Sequence, residues 1–228
     1  MKKLFFVLTV CIWNIAASLP AIAADCRQYK VMPEIKFSTS YGKLVYDVTN
    51  DRQRLTALGE KLGIVEHGLF ASGLATISVN YQVSVNAASR REPDGTICVI
   101  PTEVEVFIGY QNPIIYISND LQPGSCEYNL VLRHEQTHQQ INVTALEYFI
   151  PKLQQASKVI INNVNPLAVA EQEQVEPAIQ ELIGTYAKKL EPLIDFFKKE
   201  LLREQSKLDN PGNYQMEGNL CRYYNAHH

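Results

Sequence analysis

Residues 131–141 read VLRHEQTHQQI, with His134, Glu135 and His138 in an H-E-x-x-H pattern. In an α-helix, residues four positions apart lie on the same face, about one turn from each other. The imidazoles of His134 and His138 can therefore bind one metal ion, and the carboxyl of Glu135 lies beside them. A carboxylate in that position can take a proton from a metal-bound water. The stretch predicts a metal centre carried by a helix.

The residues on either side of this pattern repeat with helical spacing. Ile141 and Ala145 lie on the same broad face as the two histidines. An imidazole on an apolar face is costly without a partner, but it is well placed as a metal ligand. The spacing predicts a helix that begins at Cys126, bends or breaks at Pro151, and resumes over residues 153–161.

Two regions that precede the pattern have the alternation typical of β-strands. Residues 70–117 place apolar side chains at every second position, with turn residues at 90–95 and 109–113. This pattern favours an antiparallel sheet of about three strands. Residues 28–51 favour a hairpin or a pair of short strands, because a glycine divides a shorter alternation.

Helices are predicted before and after the sheet region. Residues 52–62 carry leucines at helical spacing and end at Gly63. Residues 167–208 predict a long helix, and the tail from Asp209 predicts a loop that Cys221 holds in place. The order predicts an α+β fold, in which an antiparallel sheet of several strands is followed by a helix pair that carries the H-E-x-x-H pattern.

The first residues have the features of a secretory signal peptide. Lys2 and Lys3 precede an apolar stretch, and small residues follow near Ala23. Residues 1–24 are therefore predicted to be removed on export, with an uncleaved anchor as the alternative. Residues 25–228 then form a single domain, periplasmic or secreted, with no membrane segment after cleavage.

The cysteines agree with export. Four remain after residue 24, an even number that favours two disulfides in an oxidising compartment. The sequence leaves three pairings open. These cysteines are Cys26, Cys98, Cys126 and Cys221.

Composition is that of an ordinary globular protein. The chain has 228 residues, of which 46% are hydrophobic and 20% charged, and a formal net charge of −3. It contains no basic run and no nucleic-acid-binding motif, so no nucleic-acid partner is expected.

The H-E-x-x-H pattern resembles that of the zincin metallopeptidases. The wider layout also resembles a family of exported bacterial proteins of unknown function that are predicted to be zinc-dependent proteases. The resemblance covers residues 70–153 and is specific at the five-residue pattern. It implies a zincin-like catalytic domain over residues 25–228 with a single Zn²⁺, His134 and His138 as ligands, and Glu135 as the general base. A zinc-bound water would then attack a peptide carbonyl.

The third zinc ligand is left open by the sequence. Residues 139–144 contain neither the glycine nor the third histidine of the metzincin continuation. Asp209, followed by Tyr214, resembles the aspzincin pair in which the Asp binds zinc and the Tyr stabilises the oxyanion. The other candidates are acidic residues later in α-helical stretches. They are Glu147, Glu171, Glu191 and Asp195.

The predicted function is that of an exported zinc metallopeptidase, a hydrolase whose substrate is a peptide or protein. The first alternative is a non-catalytic exported binding protein with a structural or vestigial metal site. A zinc amidase that acts on cell-wall peptides is the other, since the same residues would serve it. Substrate preference and oligomeric state are left open.

Overall fold

The computed structural model describes residues 25–227, except for the side chains of residues 225 and 227. The predicted signal peptide lies outside the described residues. Within residues 25–227, no helix combines the length and apolar character needed to cross a membrane. The chain has an α+β fold, as the sequence predicts, and its parts are five strands and four α-helices among the described residues.

The sheet is built around one long strand, β4, Ile97–Ile117. Strand β3, Gly73–Arg91, pairs antiparallel with β4 over its whole length. On the other side of β4, three short strands follow one another. They are β5, Leu167–Val169, which is antiparallel to β4, and β1, Glu34–Ser40, and β2, Val45–Asp47, which are parallel to it.

The sheet is therefore mixed, and the prediction of a sheet that is antiparallel throughout is wrong. Of the two forms expected for residues 28–51, the pair of short strands is present and the hairpin is not, because β1 and β2 each pair with β4 instead of with each other. Alternating apolar residues indicate a strand with one buried face, but they carry no information about the direction of its partner.

The predicted turn at 109–113 is also absent, so residues 97–117 form one strand where two were expected. Gly109 serves close approach between strands, because a Cβ there would lie 2.5 Å from the carbonyl oxygen of Ser40. The pairing of β3 with β4 is irregular at this point. Asn112 has a positive φ of 48° and lies opposite a register shift between Thr76 and Ser78.

Helix α1, Arg52–Leu62, begins and ends where the sequence predicts. The Asp51 side chain accepts a hydrogen bond from the backbone N–H of Arg54, and Gly63 takes the left-handed conformation at the end.

Helix α2, Cys126–Ile161, begins at the predicted residue and is continuous for 36 residues, so of the bend or break expected at Pro151 the break does not occur. Burial of Phe149, Leu153 and Ile161 holds the helix together on both sides of the proline.

The last third of the chain forms two more helices. Helix α3, Val175–Ser206, begins later than predicted because Leu167–Val169 is used as β5. Helix α4, Pro211–His227, replaces the predicted loop. Its first residue is a proline, which favours the first position of a helix, and the Asn210 side chain accepts a hydrogen bond from the N–H of Asn213.

Helices α2 and α3 run antiparallel and pack on the sheet. Phe149 contacts Phe197, and Tyr110 of β4 donates a hydrogen bond to the carbonyl of Asn142 in α2. Two apolar clusters lie between the helices and the sheet. They include Val104, Val106, Leu182 and Leu190 in one and Ile108, Leu146, Phe149 and Phe197 in the other.

Two disulfides are present, as predicted, and their pairing is now defined. Cys26 pairs with Cys98 and fixes the start of the described chain to β4. Cys126 pairs with Cys221 and joins the first residue of α2 to α4.

Candidate metal centre

The two histidines lie on the buried face of the first half of α2. His134 and His138 are 6% and 9% exposed, and their ring centroids are 4.9 Å apart. Their Nε2 atoms point to the same place, since they are 3.2 Å from each other. The helical spacing of the sequence therefore brings the two rings together as expected.

Asp209 completes the group from the turn between α3 and α4. Its Oδ1 atom is 3.1 Å from Nε2 of His134 and 3.0 Å from Nε2 of His138. It reaches this position because α3 returns antiparallel along α2 and ends level with the H-E-x-x-H turn. His134, His138 and Asp209 form a group that could hold a metal ion.

Glu135 lies beside this group, between α2 and the beginning of β3. The side chain is 6% exposed, and it fits because Gly73 has no Cβ: an added Cβ would lie 2.7 Å from Oε1 of Glu135. Burial raises the pKa of Glu135 to about 7, against the lowering effects of the two histidines and of the hydrogen bond from the backbone of Ala75.

Tyr214, from the first turn of α4, contacts both Asp209 and His134. Its hydroxyl donates a hydrogen bond of 2.6 Å to Oδ1 of Asp209. Its ring stacks on the His134 imidazole with centroids 5.3 Å apart. The pKa of Tyr214 is raised by burial and by the Asp209 carboxylate, so the hydroxyl keeps its proton.

The charges of His134, His138 and Asp209 stabilise one another. Burial disfavours the imidazolium form, yet hydrogen bonds to Asp209 and the neighbouring carboxylates raise the pKa of both His134 and His138. Burial likewise opposes ionisation of Asp209, but hydrogen bonds from the two histidines and Tyr214 hold its pKa well below its usual range. The ionised Asp209 therefore stabilises positive charge on the neighbouring imidazoles, and it would stabilise a metal cation at the same place.

Of the sequence candidates for the third ligand, the structure brings only Asp209 to the histidines. The others are exposed and lie elsewhere. Glu147 is 3.4 Å from the Tyr41 hydroxyl, and Asp195 is 3.9 Å from Lys198. Glu191 is on the exposed face of α3, and Glu171 precedes a short 3-10 helix, Gln172–Gln174.

Two polar residues in contact with the histidines were not found from the sequence. Glu217 of α4 contacts Nδ1 of His134, and Gln205 of α3 contacts Nδ1 of His138. Neither has a local sequence signal, because both reach α2 only through the packing of α3 and α4.

The chain was also compared with known protein families, curated proteins and solved structures. None of them matches it.

Proposed function

We propose that the protein is an exported zinc metallopeptidase in which His134, His138 and Asp209 hold the metal and Glu135 is the general base. One observation carries the proposal. The possible ligand atoms of His134, His138 and Asp209 converge next to the buried carboxyl of Glu135, which contacts Gly73 at the start of β3.

The residues present fit zinc. In a tetrahedral zinc site with bonds of about 2.0–2.1 Å, neighbouring ligand atoms are about 3.3 Å apart. The three ligand atoms here are separated by 3.0–3.2 Å, so small movements would bring them to that spacing. Two imidazoles and a carboxylate leave one position open, as in catalytic zinc sites. Bound zinc would supply a Lewis acid that lowers the pKa of water and polarises a carbonyl.

Glu135 is suited to moving a proton. A general base works best when its pKa is near the pH of the reaction, and burial brings the pKa of Glu135 to about 7. Its carboxylate would take the proton from the attacking water as the new carbon–oxygen bond forms. The same carboxyl would then give that proton to the amine nitrogen as the carbon–nitrogen bond breaks.

The surroundings favour an extended peptide as substrate. Among the described residues, β3 pairs only with β4, so its other edge presents unpaired backbone groups. Its beginning, at Gly73, touches Glu135. A peptide added as a further strand would bring a scissile carbonyl to the metal centre. Tyr214 is about half exposed, and its hydroxyl donates to Asp209, so it would have to turn from Asp209 to donate to a developing oxyanion.

Export is part of the proposal. Two disulfides between distant parts of the chain are typical of oxidising compartments. The signal peptide and a periplasmic or secreted location rest on the sequence alone.

The test is hydrolysis of a mixed library of unstructured peptides by zinc-loaded protein comprising residues 25–228. The wild type should cleave, and Glu135→Gln should lower the rate by about 10²–10⁴-fold while its zinc content stays unchanged, because only the proton acceptor is lost. Gln140→Ala, an exposed position on the same helix, is the matched control and should retain activity.

Two outcomes would contradict the proposal. Undiminished cleavage by Glu135→Gln would remove Glu135 from the mechanism. A zinc-loaded wild type that cleaves nothing in the library would favour the non-catalytic binding protein.

A further inference from the structure

Each of the two histidines has its second ring nitrogen in contact with a residue from another helix. Nδ1 of His134 lies 3.3 Å from Oε1 and 3.2 Å from Oε2 of Glu217 in α4. Nδ1 of His138 lies 2.5 Å from Oε1 of Gln205 in α3. The nitrogens that face Asp209 are the other two, Nε2 of each ring.

The orientation of the Gln205 amide is determined by its neighbours. Its Nε2 group donates to Oδ1 of Asn142 at 2.6 Å and to the backbone carbonyl of His138 at 3.1 Å. The amide nitrogen is therefore held between two acceptors, and the amide oxygen must face His138. An amide oxygen can only accept, so the proton of this contact is on Nδ1 of His138.

Glu217 faces the corresponding nitrogen of His134. A carboxylate accepts and does not donate, so Nδ1 of His134 donates to Glu217. Asp209 is also an acceptor, so in the metal-free protein the Nε2 atoms that face it can carry a second proton. When these Nε2 protons are removed, the protons that stay are on Nδ1, and both rings present an Nε2 lone pair beside Oδ1 of Asp209, with the three atoms at most 3.2 Å apart. Two lone pairs and a carboxylate oxygen at this distance would repel one another, and a cation between them would relieve the repulsion.

We propose that Glu217 and Gln205 are positioning residues that hold His134 and His138 as Nδ1–H tautomers and so direct both Nε2 lone pairs at one metal ion. This inference rests on the metal centre of the proposed function. It adds two residues from α3 and α4 that touch neither metal nor substrate.

Helix α4 is fixed where Glu217 is needed. Cys221 lies one helical turn after Glu217, and its disulfide partner Cys126 lies two turns before His134. The covalent link therefore joins the same faces of α2 and α4 that meet at the His134–Glu217 contact. The Glu217 side chain is 15% exposed, so water competes little for the carboxylate.

The experiment measures zinc affinity by competition with a chelator, in protein comprising residues 25–228. Glu217→Ala should weaken zinc binding by about 10–100-fold, the usual cost of losing a partner of a metal-bound histidine. Glu217→Gln should recover most of the affinity, because its amide oxygen can accept the same hydrogen bond. Gln215→Ala, an exposed position on the same helix, should bind zinc like the wild type.

A spectroscopic measurement makes the test independent of activity and of the variants. Long-range ¹H–¹⁵N NMR of the wild type with zinc should show the protons of both rings on Nδ1. In alkaline metal-free protein, the proton of the neutral His138 ring should also be on Nδ1, because the Gln205 oxygen can only accept. Zinc bound through Nδ1 of either ring, a proton on Nε2 of neutral metal-free His138, or Glu217→Ala with unchanged zinc affinity would overturn the inference. A wild type that binds no zinc would overturn the proposed function, while the metal-free NMR experiment would still decide the tautomer of His138.

Discussion

The two halves of α2 differ sharply in what they bury, although they belong to one helix and pack on the same sheet. The first half buries His134, Glu135, His138 and Asn142. The second half buries one hydroxyl, Ser157, and otherwise apolar side chains. They are Ala145, Leu146, Phe149, Leu153 and Ile161.

The apolar half of α2 contributes mainly to stability, and the polar half contributes the proposed site. The apolar half gains free energy directly by removing surface from water. Each buried polar group in the first half would instead cost free energy without a partner. The partners of the histidines and of Asn142 come from α3, α4 and the turn between them, namely Gln205, Glu217 and Asp209, and Glu135 accepts from the backbone of Ala75 in β3. A helix that only had to fold would have no reason to keep four such groups on its buried face.

The largest expected effect is that of pH on zinc affinity. It should involve the first, polar half of α2 alone. Protons compete with zinc for Nε2 of His134 and His138, and the raised pKa of each ring keeps those protons bound to a higher pH than usual. Zinc affinity should therefore fall as the pH is lowered, by up to about 10²-fold per pH unit where both rings are protonated in the free protein. Chelator competition between about pH 6 and about pH 8 measures the slope.

A flat profile over that range would contradict the prediction. It would mean that neither ring exchanges its proton for the metal.

A smaller effect is expected from a substitution in the apolar half. Leu146 is fully buried between α2, α3 and the sheet. Leu146→Ala should lower the free energy of unfolding of the metal-free protein by about 2–5 kcal/mol, through lost burial and a cavity. The zinc affinity of the folded variant should stay within about twofold of the wild type, because no ligand or ligand partner is altered. Urea unfolding and chelator competition give the two values.

His138→Ala is the reciprocal variant and should show the reverse pattern. It should weaken zinc binding far more than it changes metal-free stability. Equal losses of stability and zinc affinity in both variants would show that the two halves of α2 are not separable.

The sequence was sufficient to predict the parts of the site that lie close together in the chain. His134, Glu135 and His138 are within five residues, and helical spacing alone puts them on one side of α2. The fold class, the start of α2 and the existence of two disulfides followed from periodicity and from the cysteines.

The remaining parts depend on long-range packing. Asp209 could be named only as one of several acids, because its position follows from the antiparallel return of α3. Glu217 could not be named at all, since the tail was expected to be a loop and only as α4 does it face His134. The direction of β1 and β2 was missed for a similar reason, because alternation does not identify a strand's partner.

The most direct test of the central claim is the zinc content of purified protein comprising residues 25–228 after dialysis. The wild type should retain one zinc ion per chain, and a variant in which His134, His138 and Asp209 are all changed to Ala should retain none. His67→Ala, at an exposed histidine that contacts Glu60, should retain it. A wild type without zinc, or a triple variant that keeps it, would contradict the account.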